Sequence, residues 1–432
     1  MLLLTALALS ATATTVAFAP HPLALHRHRS PSLQRRSAAP AEPEPPADPA
    51  TWGGYSTPAE TDTDTDTDTD TPRPRLFVFG LGYVGLAVAR AACAAGWEVS
   101  GTTTSAASAS AAAAFGCRPL LLRQASSSPE EDAASVQAAA GRASHVLATA
   151  PPEDGRDPAL SAMAPALRAA ARAGTLAWAA YLSSTGVYGD RGGAWVDERA
   201  ALAPPRSLPR KPAARVLAER AWLSEHAVSG VPAAVFRLAG IYGPGRSALD
   251  TVRRAKGDLA AAGADDVGVV NRCHVADVVH VLSASAAAPV PGATYNVADD
   301  RPCTRYEVMA HASGLLGYPP MRPAPAGQSA VRFGSKRVAN AKAAALLAGV
   351  AEGAGRRALE FPDYRAGLAA IRASEPEPEL GPEASAAAGG GDMSMRQLVG
   401  KARRLADELE DVVDRMERAR AAAVAAAAGQ PE

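Results

Sequence analysis

The sequence predicts an α/β protein: a doubly wound parallel sheet covered by helices, with a smaller carboxyl-terminal substrate-binding part. Three observations carry this expectation. Short apolar runs alternate with alanine-rich helical stretches through residues 75–372, the rhythm of parallel strands joined by helical crossovers. A strand-like run at residues 75–79 leads directly into Gly80-Leu81-Gly82-Tyr83-Val84-Gly85 and then into a helical pattern. The chain is 47% hydrophobic, enough to bury a large core, and its 44 basic residues balance 44 acidic ones. That balance leaves no broad basic surface, which argues against nucleic acid or an anionic membrane as the principal partner. Four scattered cysteines form no C-x-x-C pair, so neither a metal site nor a disulfide framework is indicated.

The elements follow in order. Residues 1–19 carry no charge and contain Leu2, Leu3, Leu4, Leu7 and Leu9, the apolar core of a signal peptide. Residues 21–40 then bring Arg27, Arg29, Arg35 and Arg36 without an acidic residue, as a transit segment does. The Ala17-Phe18-Ala19-Pro20 junction resembles the signal-plus-transit leaders of algae with secondary plastids, which implies delivery of the processed chain to the plastid stroma. A secretory signal is the alternative. Residues 41–74, with Pro43, Pro45, Pro46 and a Thr-Asp repeat, lack the branched aliphatic side chains needed to offset ordering entropy, and read as a linker.

Within 75–372 the glycines each have a role. Gly80 suits the tight turn, Gly82 the close approach of a pyrophosphate, and Gly85 the packing of helix on strand. Free N–H groups at the helix start, from Tyr83 and Val84 onward, favour the phosphates. This is a Rossmann fingerprint, and it predicts a bound dinucleotide. The second strand, residues 97–102, ends in Thr103 and Thr104, where a carboxylate would ordinarily meet a free ribose 2′-hydroxyl. Hydroxyl groups tolerate a 2′-phosphate, so NADP is expected ahead of NAD. The strand at residues 144–150 ends in Ala150-Pro151-Pro152, a rigid turn at the carboxyl edge of the sheet where ligands bind.

Beyond 372, residues 373–393 form a second linker. Ser394 and Gln397 then make a capping-box pattern, and Met395, Leu398, Ala402, Leu405, Leu409, Val412 and Met416 keep a 3-4 spacing. An amphipathic or coiled-coil helix is expected over 394–424, as a route to a homo-oligomer or a partner.

Further motifs stand at Leu182-Ser183-Ser184-Thr185-Gly186-Val187-Tyr188-Gly189, at Phe236-Arg237-Leu238-Ala239-Gly240-Ile241-Tyr242-Gly243-Pro244-Gly245, and at Asn271-Arg272-Cys273-His274-Val275-Ala276-Asp277. Together with the glycine turn they resemble the extended short-chain dehydrogenases/reductases, the NAD-dependent epimerase/dehydratase family. The Gly-x-Gly start and the Ala-Pro-Pro turn are most similar to its atypical YeeZ-like subgroup. The resemblance implies that Ser184 hydrogen-bonds the substrate's reacting oxygen, and that a Tyr-x-x-x-Lys pair follows on the next helix. At those two positions stand Lys211 and Arg215, so the usual proton donor is missing. Arg215 would still hold the cofactor ribose or a phosphate. Tyr188, Arg246 and Arg272 are the candidates for contacting a small-molecule substrate, the arginines because a guanidinium grips phosphate or carboxylate with two bonds. Two readings follow: an oxidoreductase or epimerase-like enzyme on a sugar-like or carbonyl substrate, or a non-catalytic NADP(H)-binding sensor or scaffold.

Overall fold

The computed structural model describes residues 73–123, 128–153, 155–257, 268–318, 334–349 and 358–375. The expected leader at 1–40, the linker up to residue 72, the tether beyond residue 375 and the helix at 394–424 lie outside the described residues.

The chain enters the fold at β1 (Arg75–Phe79) and continues through α1 (Tyr83–Ala94), β2 (Glu98–Thr103), α2 (Ala106–Ala113), β3 (Arg118–Leu121) and α3 (Pro129–Arg142). Next come β4 (His145–Ala148), α4 (Pro158–Arg172), β5 (Trp178–Ser184), a short β6 (Trp195–Val196), α5 (Arg210–Ser229) and β7 (Ala233–Leu238). The remainder comprises β8 (Gly240–Tyr242), α6 (Ala248–Arg254), β9 (Arg272–His274), α7 (Val275–Ala287), β10 (Thr294–Val297), α8 (Arg305–Leu315), β11 (Arg337–Val338), α9 (Ala341–Gly349) and α10 (Tyr364–Ser374).

Among the described residues the main sheet has seven strands in the order β10-β7-β5-β4-β1-β2-β3, and every neighbouring pair is parallel. The winding reverses between β1 and β4, so the crevice where a ligand enters such a sheet lies at their carboxyl ends. Alternation along β1 explains the two-sided core: Leu76 and Val78 join one apolar cluster, Phe77 and Phe79 the other. The first cluster takes in Val88 of α1 and Val281 of α7, and the second takes in Met163 of α4 and Trp222 of α5.

Helix starts follow local chemistry. Ser128 and Glu131 close a reciprocal capping box on α3, and the Asp157 side chain accepts from Leu160 N at 2.8 Å to cap α4. The strand expected over 144–150 ends at Ala148, because Thr149 N and Ala150 N both turn back to the Phe79 carbonyl.

A third apolar cluster, with Tyr242, Leu249, Val308, Met309, Tyr364 and Leu368, unites α6, α8 and α10 into the smaller part. This part is interrupted in the chain. Between its segments, β10 returns to pair with β7, where Tyr295 stacks on Phe236 with ring centroids 5.3 Å apart. Among the described residues no helix is long and apolar enough to cross a membrane.

Candidate functional site

The glycine turn joins β1 to α1 at the crevice. Gly80 has φ of +111° and a side chain there would collide with Thr149 Oγ1 at 2.6 Å. Thr149 Oγ1 in turn donates to the Gly80 carbonyl at 2.5 Å, so β4 clamps the turn. At Gly85 a Cβ would lie 2.1 Å from the Gly80 carbonyl oxygen, and only glycine lets α1 sit this close to the loop. Gly82 differs, because a Cβ there would meet nothing within 4 Å. The turn is therefore packed from within at Gly80 and Gly85 and open outward at Gly82, next to helix N–H groups that have no intrahelical acceptor. That open cradle fits a dinucleotide pyrophosphate. Val84 contributes only backbone to it, since its side chain is buried in the core.

The hydroxyls after β2 are engaged locally. Thr103 Oγ1 accepts from Ser105 N at 3.1 Å, and Ser105 Oγ caps α2 by accepting from Ser108 N at 3.3 Å. Thr104 is exposed.

Ser184 ends β5, and its Oγ accepts from Gly186 N at 3.1 Å, capping a short 3-10 turn. An oxygen that accepts there keeps its own hydrogen to donate. Alongside, α5 opens with Arg210 and Lys211 and contains no tyrosine. Lys211 is exposed and, with Pro152 and Glu153 of the loop after β4, lines a recess of about 280 Å³. Arg215 lies one turn on, half-buried, and its Nε has no hydrogen-bond partner.

Tyr188 takes a different role from the one expected. It is fully buried, and its hydroxyl donates to Asn296 Oδ1 at 2.7 Å while accepting from Arg237 Nη1 at 2.9 Å. Arg237 pairs with Glu219 at 2.9 Å, and Glu219 accepts from Ser183 Oγ at 2.5 Å. The assignment of Tyr188 to substrate is thus corrected: its hydroxyl completes an interior network beneath Ser184.

Arg246 and Arg272 are brought together in one cleft of about 570 Å³. Its walls also carry Arg254, Arg305 and Lys336, while Asp250 is the one carboxylate among its described lining residues, and the cleft extends to Thr185 and Gly186 beside Ser184. Arg272 is oriented by its contact to Cys303 Sγ at 2.9 Å, and its backbone N–H is accepted by Asp299 at 3.0 Å. Burial pushes the Asp299 carboxyl up to about 7. Lys336 is only 5% exposed, and burial lowers its ammonium pKa, with Asp190 opposing that shift. His274 is structural: its Nδ1 accepts from Ala276 N at 3.3 Å to cap α7, and burial holds its pKa down to about 4. Asp277 accepts from Glu360 N and Phe361 N at 2.6 and 3.2 Å, tying the lead-in to α10 onto α7.

Sequence reasoning missed Thr149, Lys336 and the Glu219–Arg237 pair. A lone arginine inside the apolar Ala-Ala-Val-Phe-Arg-Leu strand was the available signal for a buried ion pair. Lys336 offered none, because its place in the cleft depends on β11 pairing with β6.

The doubly wound sheet and the open glycine cradle define a dinucleotide-binding α/β protein. Residues 76–298 match the NAD dependent epimerase/dehydratase family, and the chain belongs to that family. It is 34% identical to a functionally unknown conserved protein from Silicibacter pomeroyi, over 69% of this chain and 98% of that one, with a TM-score of 0.53. The fold is shared with a dTDP-glucose 4,6-dehydratase from Bacillus anthracis in complex with NAD, at 14% identity, 69% and 96% coverage and a TM-score of 0.54. DesIV, the dTDP-glucose 4,6-dehydratase of Streptomyces venezuelae with NAD and TYD bound, has 16% identity, 69% and 97% coverage and a TM-score of 0.53. No curated protein matches the chain.

These comparisons overturn the expected preference for NADP. The family is NAD dependent, and the two dehydratase structures hold NAD. Thr103, Thr104 and Ser105 bring no positive charge to a 2′-phosphate.

Proposed function

We propose that the protein is an NAD-dependent enzyme that oxidises or reduces an oxygen-bearing carbon of a nucleotide-linked sugar. The observation that carries this reading is the cleft, where Arg246, Arg254, Arg272, Arg305 and Lys336 face Asp250 and the space reaches the end of β5. Such a wall suits a diphosphate, since guanidinium groups bind phosphate oxygens bidentately. Fold relatives that act on dTDP-glucose support the same class of substrate.

The glycine turn would hold the cofactor pyrophosphate at Gly82, and Arg215 would meet its ribose or phosphate. NAD, when bound, supplies the hydride acceptor. Ser184 Oγ would hydrogen-bond the reacting oxygen and fix the carbon's orientation, while the Ser183–Glu219–Arg237 network beneath keeps the strand end rigid. The absence of tyrosine from α5 supports placement in the atypical YeeZ-like subgroup.

That same absence favours a second reading, a non-catalytic NAD-binding sensor or scaffold. Calorimetric titration of the full chain with NAD, followed by UDP-glucose or dTDP-glucose, with chromatography of the sugar nucleotide, separates them. Binding of both ligands with a new sugar nucleotide appearing is the expected result. NAD binding with the sugar nucleotide returned unchanged overturns the enzymatic reading in favour of the sensor.

A further inference from the structure

We propose that Tyr83 couples the two ligand sites, acting as a positioning residue that ties the cofactor turn to Arg246 in the cleft, so that each ligand strengthens binding of the other. The proposal rests on the functional reading above, which assigns the turn to NAD and the cleft to a nucleotide sugar.

Tyr83 is the first residue of α1 and directly follows Gly82, the outward-open glycine. Its side chain leaves the cofactor turn and reaches the smaller part of the protein. The hydroxyl donates to the Pro244 carbonyl at 3.1 Å. Pro244 lies in a tight turn closed by reciprocal backbone bonds between Gly243 and Arg246, at 3.1 and 3.0 Å. Gly245 has φ of +70°, a conformation that selects glycine there. The turn is pressed against the tyrosine, since a Cβ on Gly243 would lie 2.5 Å from the Tyr83 hydroxyl and 2.7 Å from Val275 Cγ1. From the end of this turn the Arg246 guanidinium stands over the Tyr83 ring, 5.4 Å from its centroid, within range of a cation–π contact. Arg246 then lines the cleft.

One side chain thus touches the turn that carries Arg246 at two points, while its own backbone belongs to the cofactor cradle. Burial and Asp250 raise the Tyr83 pKa against the opposing charge of Arg246, so the hydroxyl remains a donor at neutral pH. Ordering of the first turn of α1 around a pyrophosphate fixes Tyr83, and with it the Gly243–Arg246 turn. An anion held by Arg246 fixes the same contacts from the other side. Two sites that share the cost of ordering one contact bind cooperatively, and the effect is reciprocal.

The test is calorimetric titration of the full chain with NAD, alone and in saturating UDP-glucose or dTDP-glucose, for the native protein, Tyr83→Phe and Tyr83→Leu. The coupling factor is the ratio of the two NAD affinities of the same variant, so a generally weakened site does not move it. In the native chain the sugar nucleotide should raise NAD affinity by at least about fivefold. Tyr83→Leu, which removes both the hydroxyl and the ring face, should bring the factor to one. Tyr83→Phe keeps the ring beneath Arg246 and should retain part of it. Equal factors in the native chain and Tyr83→Leu overturn the proposal, as does a factor of one when both ligands bind the native chain. Failure of either ligand to bind the native chain instead defeats the functional reading, and the coupling falls with it.

Discussion

At the start of α1 the chain places three glycines in six residues, each under a different steric demand. At the start of α5 it places Arg210, Lys211 and Pro212, with Lys211 exposed to solvent. In the first region Gly80 and Gly85 admit no Cβ and Gly82 opens to a ligand; backbone geometry alone dictates the residues. In the second the family resemblance leads one to expect a tyrosine and a lysine on one helix face, and the positions hold Lys211 and Arg215. The glycine turn thus keeps the pattern of the family, while the helix that carries the family's tyrosine and lysine departs from it. Beneath α5 the interior remains tightly specified, with Glu219 and Arg237 paired at 1% and 6% side-chain exposure.

The largest expected effect falls on that interior. Glu219→Ala leaves Arg237 buried without its carboxylate, and loss of one partner of a buried pair costs about 3–5 kcal/mol. Chemical denaturation should show a loss of that size, and a loss below that of an exposed pair would mean that α5 is held in place by packing alone. Ser184→Ala tests the catalytic side directly: turnover should fall by about 10²–10³-fold, as when one donor to a reacting oxygen is removed, while NAD titration of the variant matches the native chain. Turnover untouched by this change would move the chemistry to another donor. On the cofactor side, Gly85→Ala forces α1 away from the Gly80 carbonyl, at an overpacking cost of about 1–3 kcal/mol, and both thermal stability and NAD affinity should drop. If NAD affinity stayed at the native value, the cradle would not depend on the close approach of α1.

A further effect is in pH dependence. Burial lowers the pKa of His145 to about 4 and that of His274 to about 4, so each contributes stability that is present above the ordinary histidine pKa and lost as pH falls through about 4. Asp299 works in the opposite direction. Its carboxyl is pushed up to about 7, so its contribution is present below the ordinary aspartate pKa and lost as pH rises through about 7. The melting temperature of Asp299→Asn relative to the native chain should accordingly rise between pH 4 and pH 7. A constant difference across that window would mean that Asp299 is ionised throughout.

What the sequence made legible was whatever local chemistry determines. β1 spans residues 75–79 as expected because an apolar run stops at a glycine turn, and the places of Gly80, Gly82 and Gly85 between strand and helix give each a geometric role from the sequence alone. Ser184 was visible as a strand-end serine in a motif, and it does cap the following turn. The failures are non-local. Tyr188 looked like a pocket residue because its partners, Arg237 and Asn296, lie 49 and 108 positions away. Lys336 reaches the cleft only through the pairing of β11 with β6.

The most direct test of the account is turnover by the purified full chain supplied with NAD and either UDP-glucose or dTDP-glucose, followed by nicotinamide absorbance and chromatography of the sugar nucleotide. A keto or epimerised sugar nucleotide should form, and Ser184→Ala and Arg272→Gln should each suppress it. A native chain that binds NAD yet returns both sugar nucleotides unchanged would contradict the account.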